Sequence, residues 1–211
     1  MPLPITQDIS AQQRQAWNAF SPGWQKWDAR IQTWLGPVGE ALIAAADLAE
    51  GDHVLDVATG TGEPGLTAAS ALSKTGEVIG QDVAEDMVRI ANETAKRCGI
   101  QNYTAVACDA AALPFADNEF DAVLCRMGVM FFSNPVADTR EIIRVLKPGG
   151  KLSASVWAEP AKNPWATTIT GALHTMLGLA APSPDLPGIF RFSVPGALAA
   201  LLQNAGLRAV E

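Results

Sequence analysis

A glycine-rich segment in the first third of the chain has the residue types of a ligand-binding turn. It runs from Asp56 to Gly65 and reads DVATGTGEPG. Glycines at positions 60 and 62 let the backbone turn sharply and approach a ligand without a Cβ in the way. With Gly65 they satisfy G-x-G-x-x-G, and Asp82 follows at the distance expected of an acid that binds ribose hydroxyls. The pattern alone leaves open a nicotinamide cofactor, another nucleoside or a plain strand–helix turn.

Three acidic residues favour a ligand with a positive charge over a dinucleotide. Asp56, Asp82 and Asp109 each stand at or near the carboxyl end of a candidate strand. Asp56 would place a carboxylate near the charged pyrophosphate of a dinucleotide, where like charges repel. A nucleoside with a cationic tail could use Asp82 for its ribose, Asp109 for its adenine and Asp56, indirectly, for an ammonium. Each acid alone could instead cap the helix that follows, because Asp is a preferred N-cap residue.

Five short apolar runs of strand length would position these residues. The runs lie at 53–58, 77–82, 103–109, 120–126 and 151–157. Helical patterns lie between them at 63–72, 84–98 and 137–146, and the last is expected to stop at Pro148-Gly149-Gly150. This alternation predicts right-handed crossovers and a mainly parallel, doubly wound α/β sheet. Such sheets bind ligands at the carboxyl ends of their strands, where the glycine turn and the acids stand.

The segments on either side of the sheet are predicted to be helical but interrupted. Residues 12–49 carry apolar residues at helical spacing, broken at Ser21-Pro22-Gly23 and Gly36-Pro37, which predicts short helices with turns between them. After residue 160 the clearest helical patterns are 165–178 and 195–205. We divide a single domain, 1–211, into an N-terminal helical cap (1–44), a cofactor-binding core (45–157) and a variable substrate region with the last helix (158–211).

Composition and charge argue against several other classes of protein. The chain has 211 residues, 48% of them hydrophobic and 18% charged, which suits one globular domain. Its formal net charge of -7 argues against nucleic-acid binding. No apolar run reaches the ~20 residues of a membrane span, and the N-terminus lacks the layout of a secretory signal. We therefore expect a cytoplasmic protein, and no metal site, because its Cys residues lack metal-ligand spacing.

Four motifs in this order resemble the class I S-adenosylmethionine-dependent methyltransferases, and within them the ubiquinone and menaquinone C-methyltransferases. The motifs are VLDVATGTG (54–62), VIGQDVAEDMVRIA (78–91), CDAAALPFADNEFDAVLCRMGVMFF (108–132) and EIIRVLKPGGKL (141–152). The resemblance covers about residues 45–157. It implies a Rossmann-like methyltransferase fold, S-adenosylmethionine as cofactor and S-adenosylhomocysteine as product.

The resemblance also implies roles for individual residues. The loop 58–62 would pass under the methionine part of the cofactor, and Asp82 would bond both ribose hydroxyls. Asp109 would meet the adenine edge, and the backbone at Arg126 would help to hold the methionine ammonium. Trp24 would close over the cofactor, or else serve ordinary helix packing. The expected cofactor-binding residues are Trp24, Asp56, Ala58, Thr59, Gly60, Thr61, Gly62, Asp82, Val83, Met87, Asp109, Ala110, Arg126 and Met127.

The chemistry of methyl transfer does not require a dedicated base. A sulfonium needs an in-line nucleophile, and positioning in a dry cavity could supply most of the rate. The catalytic residue is therefore left unknown, with His174, Tyr103 and Glu159 as candidates for removing a proton. An apolar set favours a small aromatic or lipophilic acceptor, methylated at carbon or oxygen. Its members are Trp17, Trp24, Trp27, Met127, Met130, Phe131, Phe132, Trp157, Trp165, Phe190 and Phe192.

Two other functions stay open on the sequence. One is a protein that binds S-adenosylmethionine without transferring its methyl group, since no residue is uniquely catalytic. The other is a nicotinamide-dependent oxidoreductase. The three acids argue against it, because they favour a cationic ligand over a dinucleotide.

The C-terminal part is expected to be incomplete. The resembled family usually has seven strands, and five are found by Trp157. NAGLRAVE (204–211) would open a sixth strand, and a seventh is missing. The edge of the fifth strand would then be unpaired, which folded proteins normally avoid. We therefore expect either a fragment of a longer chain or a homo-oligomer in which a partner covers this edge.

Overall fold

Five parallel strands form one sheet in the computed structural model. The structure describes residues 5–72, 75–178, 183 and 185–211, with side chains from residue 9. The strand order is β3-β2-β1-β4-β5. The strands are β1 His53–Val57, β2 Glu77–Asp82, β3 Tyr103–Ala107, β4 Phe120–Arg126 and β5 Leu146–Ser155. The order reverses between β1 and β4, so the predicted doubly wound fold is confirmed, and every pairing in this sheet is parallel.

Helices cover both faces of the sheet. They are α1 Ile5–Ala46, α2 Gly65–Ala71, α3 Glu85–Cys98, α4 Pro135–Val145, α5 Pro164–Leu177 and α6 Ala197–Ala205. Side-chain alternation along β1 divides the core. Val54 belongs to a buried cluster with residues of α1, α2 and α3, and Leu55 to a second cluster with residues of α4 and α6. Within the described ranges, no helix has the length and apolarity needed to cross a membrane.

Helix α1 corrects the prediction of several short N-terminal helices. It is continuous from Ile5 to Ala46, with Pro22 and Pro37 inside it. Pro22 has no N–H to donate to the Asn18 carbonyl one turn earlier. The Ser21 hydroxyl donates to that carbonyl instead, at 2.9 Å, and Ser21 is only 1% exposed. A side chain thus satisfies the acceptor that proline leaves open, while packing against α3, β4 and β5 holds the helix.

Strand β5 begins earlier than predicted. Helix α4 ends at Val145, so Pro148-Gly149-Gly150 lies inside β5 and does not stop the helix. Phe120 pairs with Leu146, but Ala122 pairs with Lys151, so the register shifts between the two pairs. Gly149 has a φ of 84°, a left-handed conformation that glycine adopts at little cost. Gly149 therefore allows the irregular backbone at this point of the strand.

The expected sixth strand is wrong for residues 206–211, all of which the structure describes. Helix α6 ends at Ala205, and the Leu207 N–H donates to the Leu202 carbonyl at 3.0 Å, closing the helix end. The Leu207 side chain packs against the core cluster of α4 and α6. The backbone of Leu207 thus closes the C-terminal end of α6, and its side chain packs beside that helix.

Candidate functional site

A cavity of about 360 Å³ lies at the carboxyl ends of the strands, beside the point where the strand order reverses. Its volume is in the range of small-molecule sites. All but two of the expected cofactor-binding residues line it: Trp24, Ala58, Thr59, Gly60, Thr61, Asp82, Val83, Met87, Asp109, Ala110, Arg126 and Met127. The two outside its lining are Asp56 and Gly62.

The glycine loop leaves β1 with three residues in the left-handed region of the backbone. Ala58 has a φ of 55°, Gly60 of 58° and Gly62 of 117°. A Cβ on Gly62 would lie 2.5 Å from the Leu66 side chain, so Leu66 would have to move to admit a larger residue. Met127, which follows the neighbouring strand β4, has a φ of 60°. Left-handed alanine and methionine cost energy, and such strain clusters at functional sites.

Asp56 supports the loop from behind and does not line the cavity. The carboxyl group is fully buried, and its Oδ2 accepts from the Thr59 hydroxyl at 2.5 Å and from the Gly65 N–H at 2.9 Å. The Tyr103 hydroxyl lies 2.9 Å from the same Thr59 hydroxyl. Burial raises the pKa of Asp56 to about 7, although the bonds from Thr59 and Gly65 oppose the rise. Asp56 thus ties the loop to the start of α2.

Asp82 is held at the cavity wall by two backbone N–H groups. Its Oδ2 accepts from Gly60 and its Oδ1 from Ala84, both at 2.9 Å. Burial raises the pKa of Asp82 to about 6, against the lowering effect of these bonds. Each carboxylate oxygen has a further lone pair. The geometry therefore presents a fixed double acceptor to hydroxyl groups in the cavity.

Helix α1 crosses the cavity and is hydrogen-bonded to the loops around it. Between Ser10 and Leu35, which we call the cover segment, its polar groups bond to residues that follow β1, β2 and β3 and to the last residue of β4. The pairs are Ser10 with Asp109, Asn18 with Glu85 and Asp86, Asp28 with Thr61, and Gln32 and Leu35 with Arg126. The N-terminal part of the chain therefore lies over the cavity.

Aromatic side chains form two clusters in the cavity wall. Trp17 packs against Trp24 and Phe131, with ring centroids 6.1 and 5.0 Å away. Trp34, Trp157 and Trp165 form the second cluster, with centroids 5.0 to 5.4 Å apart. From the apolar set expected at the cavity, Trp27, Phe190 and Phe192 lie outside the lining.

The sequence reasoning missed several residues of α1 that line the cavity, including Ile31 and Trp34. The signal was present, because Trp17, Trp24 and Ile31 are spaced seven residues apart, which keeps them on one helix face. The predicted break at Pro22 concealed this face.

None of the three candidate bases lines the cavity. His174 is in the last turn of α5, and Glu159 pairs with Lys162 at 3.1 Å. Tyr103 is buried beside Thr59, and burial raises its pKa. Asp138, which the sequence reasoning missed, does line the cavity and is 3% exposed, and burial raises its pKa to about 6. Its Oδ2 accepts from the Asn134 N–H at 3.1 Å, so part of this carboxylate caps α4.

Known sequences resemble the sheet domain. Residues 54–150 match the family described as "Methyltransferase domain". An uncharacterised protein of Mycobacterium tuberculosis (strain H37Rv) is 40% identical over 124 residues, 58% of this chain and 43% of that protein. The ubiquinone/menaquinone biosynthesis C-methyltransferase UbiE of Pseudoalteromonas translucida is 34% identical over 119 residues, 56% of this chain and 47% of that enzyme. The chain thus spans less than half the length of these relatives.

Solved structures share the fold. A SAM-dependent methyltransferase from Aquifex aeolicus is 26% identical, with a TM-score of 0.55 over 66% of this chain and 78% of that one. The [4+2]-cyclase SpnF is 28% identical, with a TM-score of 0.62 over 81% of this chain and 56% of that one.

The strand order, the glycine loop with its acids and these matches define the class of protein. Residues 54–150 match the methyltransferase domain family, and the chain has the fold of the class I S-adenosylmethionine-dependent methyltransferases. Within that class it is related to the ubiquinone and menaquinone biosynthesis C-methyltransferases, so the resemblance drawn from the motifs is confirmed.

Proposed function

We propose that this protein transfers the methyl group of S-adenosylmethionine to a small aromatic or lipophilic acceptor, at carbon or oxygen. One observation carries the proposal: the cavity that contains the expected nucleoside-binding residues is also walled by two tryptophan clusters. A site for the nucleoside alone would not need two tryptophan clusters in its wall. Aromatic walls suit a flat or apolar partner, which stacks on them with favourable geometry.

The residues present fit the cofactor. Asp82 is a double acceptor for the ribose hydroxyls, and Asp109 is a second carboxylate for the adenine amino group. The open space above Gly60, where an added Cβ would meet no atom within 4 Å, leaves room for the methionine part. When bound, S-adenosylmethionine supplies an electrophilic methyl group on a sulfonium.

The chain itself contributes positioning and exclusion of water. The cover segment and the two aromatic clusters give the cavity a mainly apolar wall, which would displace water from a bound acceptor. Holding two reactants in line can supply much of the rate enhancement of a group transfer. We assign no general base, because the expected candidates lie away from the cavity.

A second candidate function is cofactor binding without methyl transfer. The observation that favours it is the likeness to SpnF, which is named as a cyclase and has this fold at 28% identity. A fold does not fix its chemistry.

The two functions are separated by an acceptor screen. The full chain is incubated with S-adenosylmethionine and a panel of phenols, enols and amines, and release of S-adenosylhomocysteine is measured. We expect release with at least one phenol or enol. Binding of S-adenosylhomocysteine by calorimetry without turnover of any acceptor would support the second function. Preference for NAD over S-adenosylhomocysteine would contradict both.

Affinity for S-adenosylhomocysteine is expected to fall as the pH is lowered through about 6. Burial raises the pKa of Asp82 to about 6, so the ligand-free protein protonates this acceptor in that range. A protonated carboxyl accepts the ribose hydroxyls less well, so binding at pH 5 should be about tenfold weaker than at pH 7. Calorimetry across this range measures the change, with Asp82→Asn as the control. A variant with the same pH dependence as the wild type would contradict the assignment.

The cover segment is expected to be better protected from hydrogen exchange when S-adenosylhomocysteine is bound. A helix that completes the cavity must open for ligand exchange, and a bound ligand holds it closed. Amide exchange of residues 10–35 tests this, with α6 (Ala197–Ala205), far along the chain and outside the lining, as an internal control. Equal protection with and without ligand would assign Trp17 and Trp24 to helix packing alone.

A further inference from the structure

Arg126 is the last residue of β4, and its half-buried side chain lines the cavity. Among the described residues of the lining, no other is a lysine or arginine. If Gly39 carried a Cβ, that atom would lie 3.8 Å from Arg126 Nη1 and would also contact Pro64. Pro64 directly precedes α2, so the guanidinium stands near the end of the glycine loop.

The cover segment holds this guanidinium through one of its nitrogens. Nη1 donates to the Gln32 side-chain oxygen at 3.1 Å and to the Leu35 carbonyl at 3.3 Å. Both acceptors are neutral. Within the described residues, Nε and Nη2 have no hydrogen-bond partner, and no carboxylate pairs with Arg126 within 4.0 Å. An arginine has five N–H donors in a planar fork, so most of them remain for a ligand.

The charges around Arg126 favour a ligand that carries both signs. Asp56, Glu63 and Asp28 act electrostatically on the guanidinium without forming a close pair. A simple anion would be attracted by one cation and repelled by three acids. An α-amino acid carries a carboxylate for the guanidinium and an ammonium for the acids. The arrangement therefore fits a zwitterion better than an anion.

We propose that the Arg126 side chain binds the carboxylate of the cofactor's methionine part. This role rests on the proposed function. The motif resemblance concerned only the backbone at this position, as a partner of the ammonium. The side chain carries a positive charge, so it recognises the opposite end of the same amino-acid group. Arginine binds a carboxylate in a planar, two-point contact, which would fix the direction of the methionine part.

The test compares two ligands that differ in the amino-acid group. S-adenosylhomocysteine contains it, and 5′-methylthioadenosine keeps the nucleoside and sulfur but lacks it. Calorimetry with Arg126→Met should show S-adenosylhomocysteine bound about 10- to 100-fold more weakly than by the wild type, the loss expected for a charged hydrogen bond. Affinity for 5′-methylthioadenosine should stay within about twofold.

Arg191→Met is the matched control. Arg191 is also half-buried, and its Nη1 donates to the Phe132 carbonyl at 2.6 Å, but it does not line the cavity. This control should bind both ligands as the wild type does.

Several results would overturn the proposal. Equal weakening of both ligands in Arg126→Met would show a general change in the cavity. Unchanged affinity for both would show that the guanidinium serves another carboxylate, such as one on the acceptor. Should the methionine variant not fold, Arg126→Gln removes the charge but keeps an amide donor for the Leu35 carbonyl, and the same comparison applies. A wild type that binds neither ligand would instead refute the proposed function.

Discussion

Replacing Gly60 with valine is expected to abolish binding of S-adenosylhomocysteine, with affinity lowered at least about 100-fold. Gly60 has a φ of 58°, which a β-branched residue adopts only with strain of about 1–3 kcal/mol. The added methyl groups would occupy the open space of the cavity, because a Cβ at Gly60 meets no protein atom within 4 Å. Calorimetry measures the affinity, and thermal unfolding checks the fold.

Gly99→Val is the control for backbone strain. Gly99 caps the end of α3 with a φ of 71°, and a Cβ there also meets nothing within 4 Å. It lies outside the cavity lining, so valine there should lower stability by a similar amount and leave ligand affinity unchanged. Equal losses of affinity in the two variants would mean that the loop is not a cradle for the ligand.

Asp82→Ala is expected to weaken binding of S-adenosylhomocysteine by about 1.5–3 kcal/mol, or roughly 10- to 150-fold. The variant removes, from a buried site, the charged acceptor that we propose for two ribose hydroxyls. It also leaves the N–H groups of Gly60 and Ala84 without their carboxylate partner, so the loop loses support. Calorimetry gives the loss, and circular dichroism confirms that the variant is folded.

Asp121→Ala is the matched control for Asp82. Its carboxylate also accepts from a backbone N–H, that of His53 at 2.9 Å, and it pairs with Lys147 at 2.7 Å. These residues lie at the amino ends of β1, β4 and β5, away from the cavity. The control should lose some stability and keep its affinity. A folded Asp82→Ala protein with wild-type affinity would remove Asp82 from the site.

The sheet could be predicted because its strands are buried and short, and their sequence signals are local. β1 is buried along most of its length, with Val54 and Leu55 in clusters on opposite faces. A strand covered on both sides needs an uninterrupted apolar run, and such a run is visible without knowledge of its neighbours. Once the strand limits are predicted, they alone show which acids stand at the carboxyl ends.

Other features depended on contacts between distant parts of the chain. The continuity of α1 past Pro22 relies on a serine hydroxyl and on packing against the sheet, neither of which the propensity of proline shows. The strand register shift before Lys151 relies on pairing with β4. Propensity and periodicity describe a segment in isolation, so they assigned a break and a helix end at these places.

Which carboxylate lines the cavity could not be predicted from the sequence either. Asp56 and Asp82 both stand at strand ends, and both are expected from the sequence to serve the ligand, Asp56 indirectly for an ammonium and Asp82 for the ribose. Asp56 is the last residue but one of β1 and points to α2, where it bonds the Gly65 N–H, whereas Asp82 is the last residue of β2 and lines the cavity. Asp56 pairs with Gly80, and Asp82 lies two residues beyond Gly80, so the two side chains share a face of the sheet and differ in how far along it they stand.

The network of Asp56, Thr59, Tyr103 and Gly65 has a consequence for the thermodynamics of ligand capture. The glycine loop is anchored at both ends by protein groups, through Thr59 and Gly65. Fixing one residue's backbone costs about 1–2 kcal/mol of conformational entropy. For residues 58–62 this loss occurs when the chain folds, so association need not order the loop again. The entropy change of binding should therefore be dominated by the cover segment and by released water.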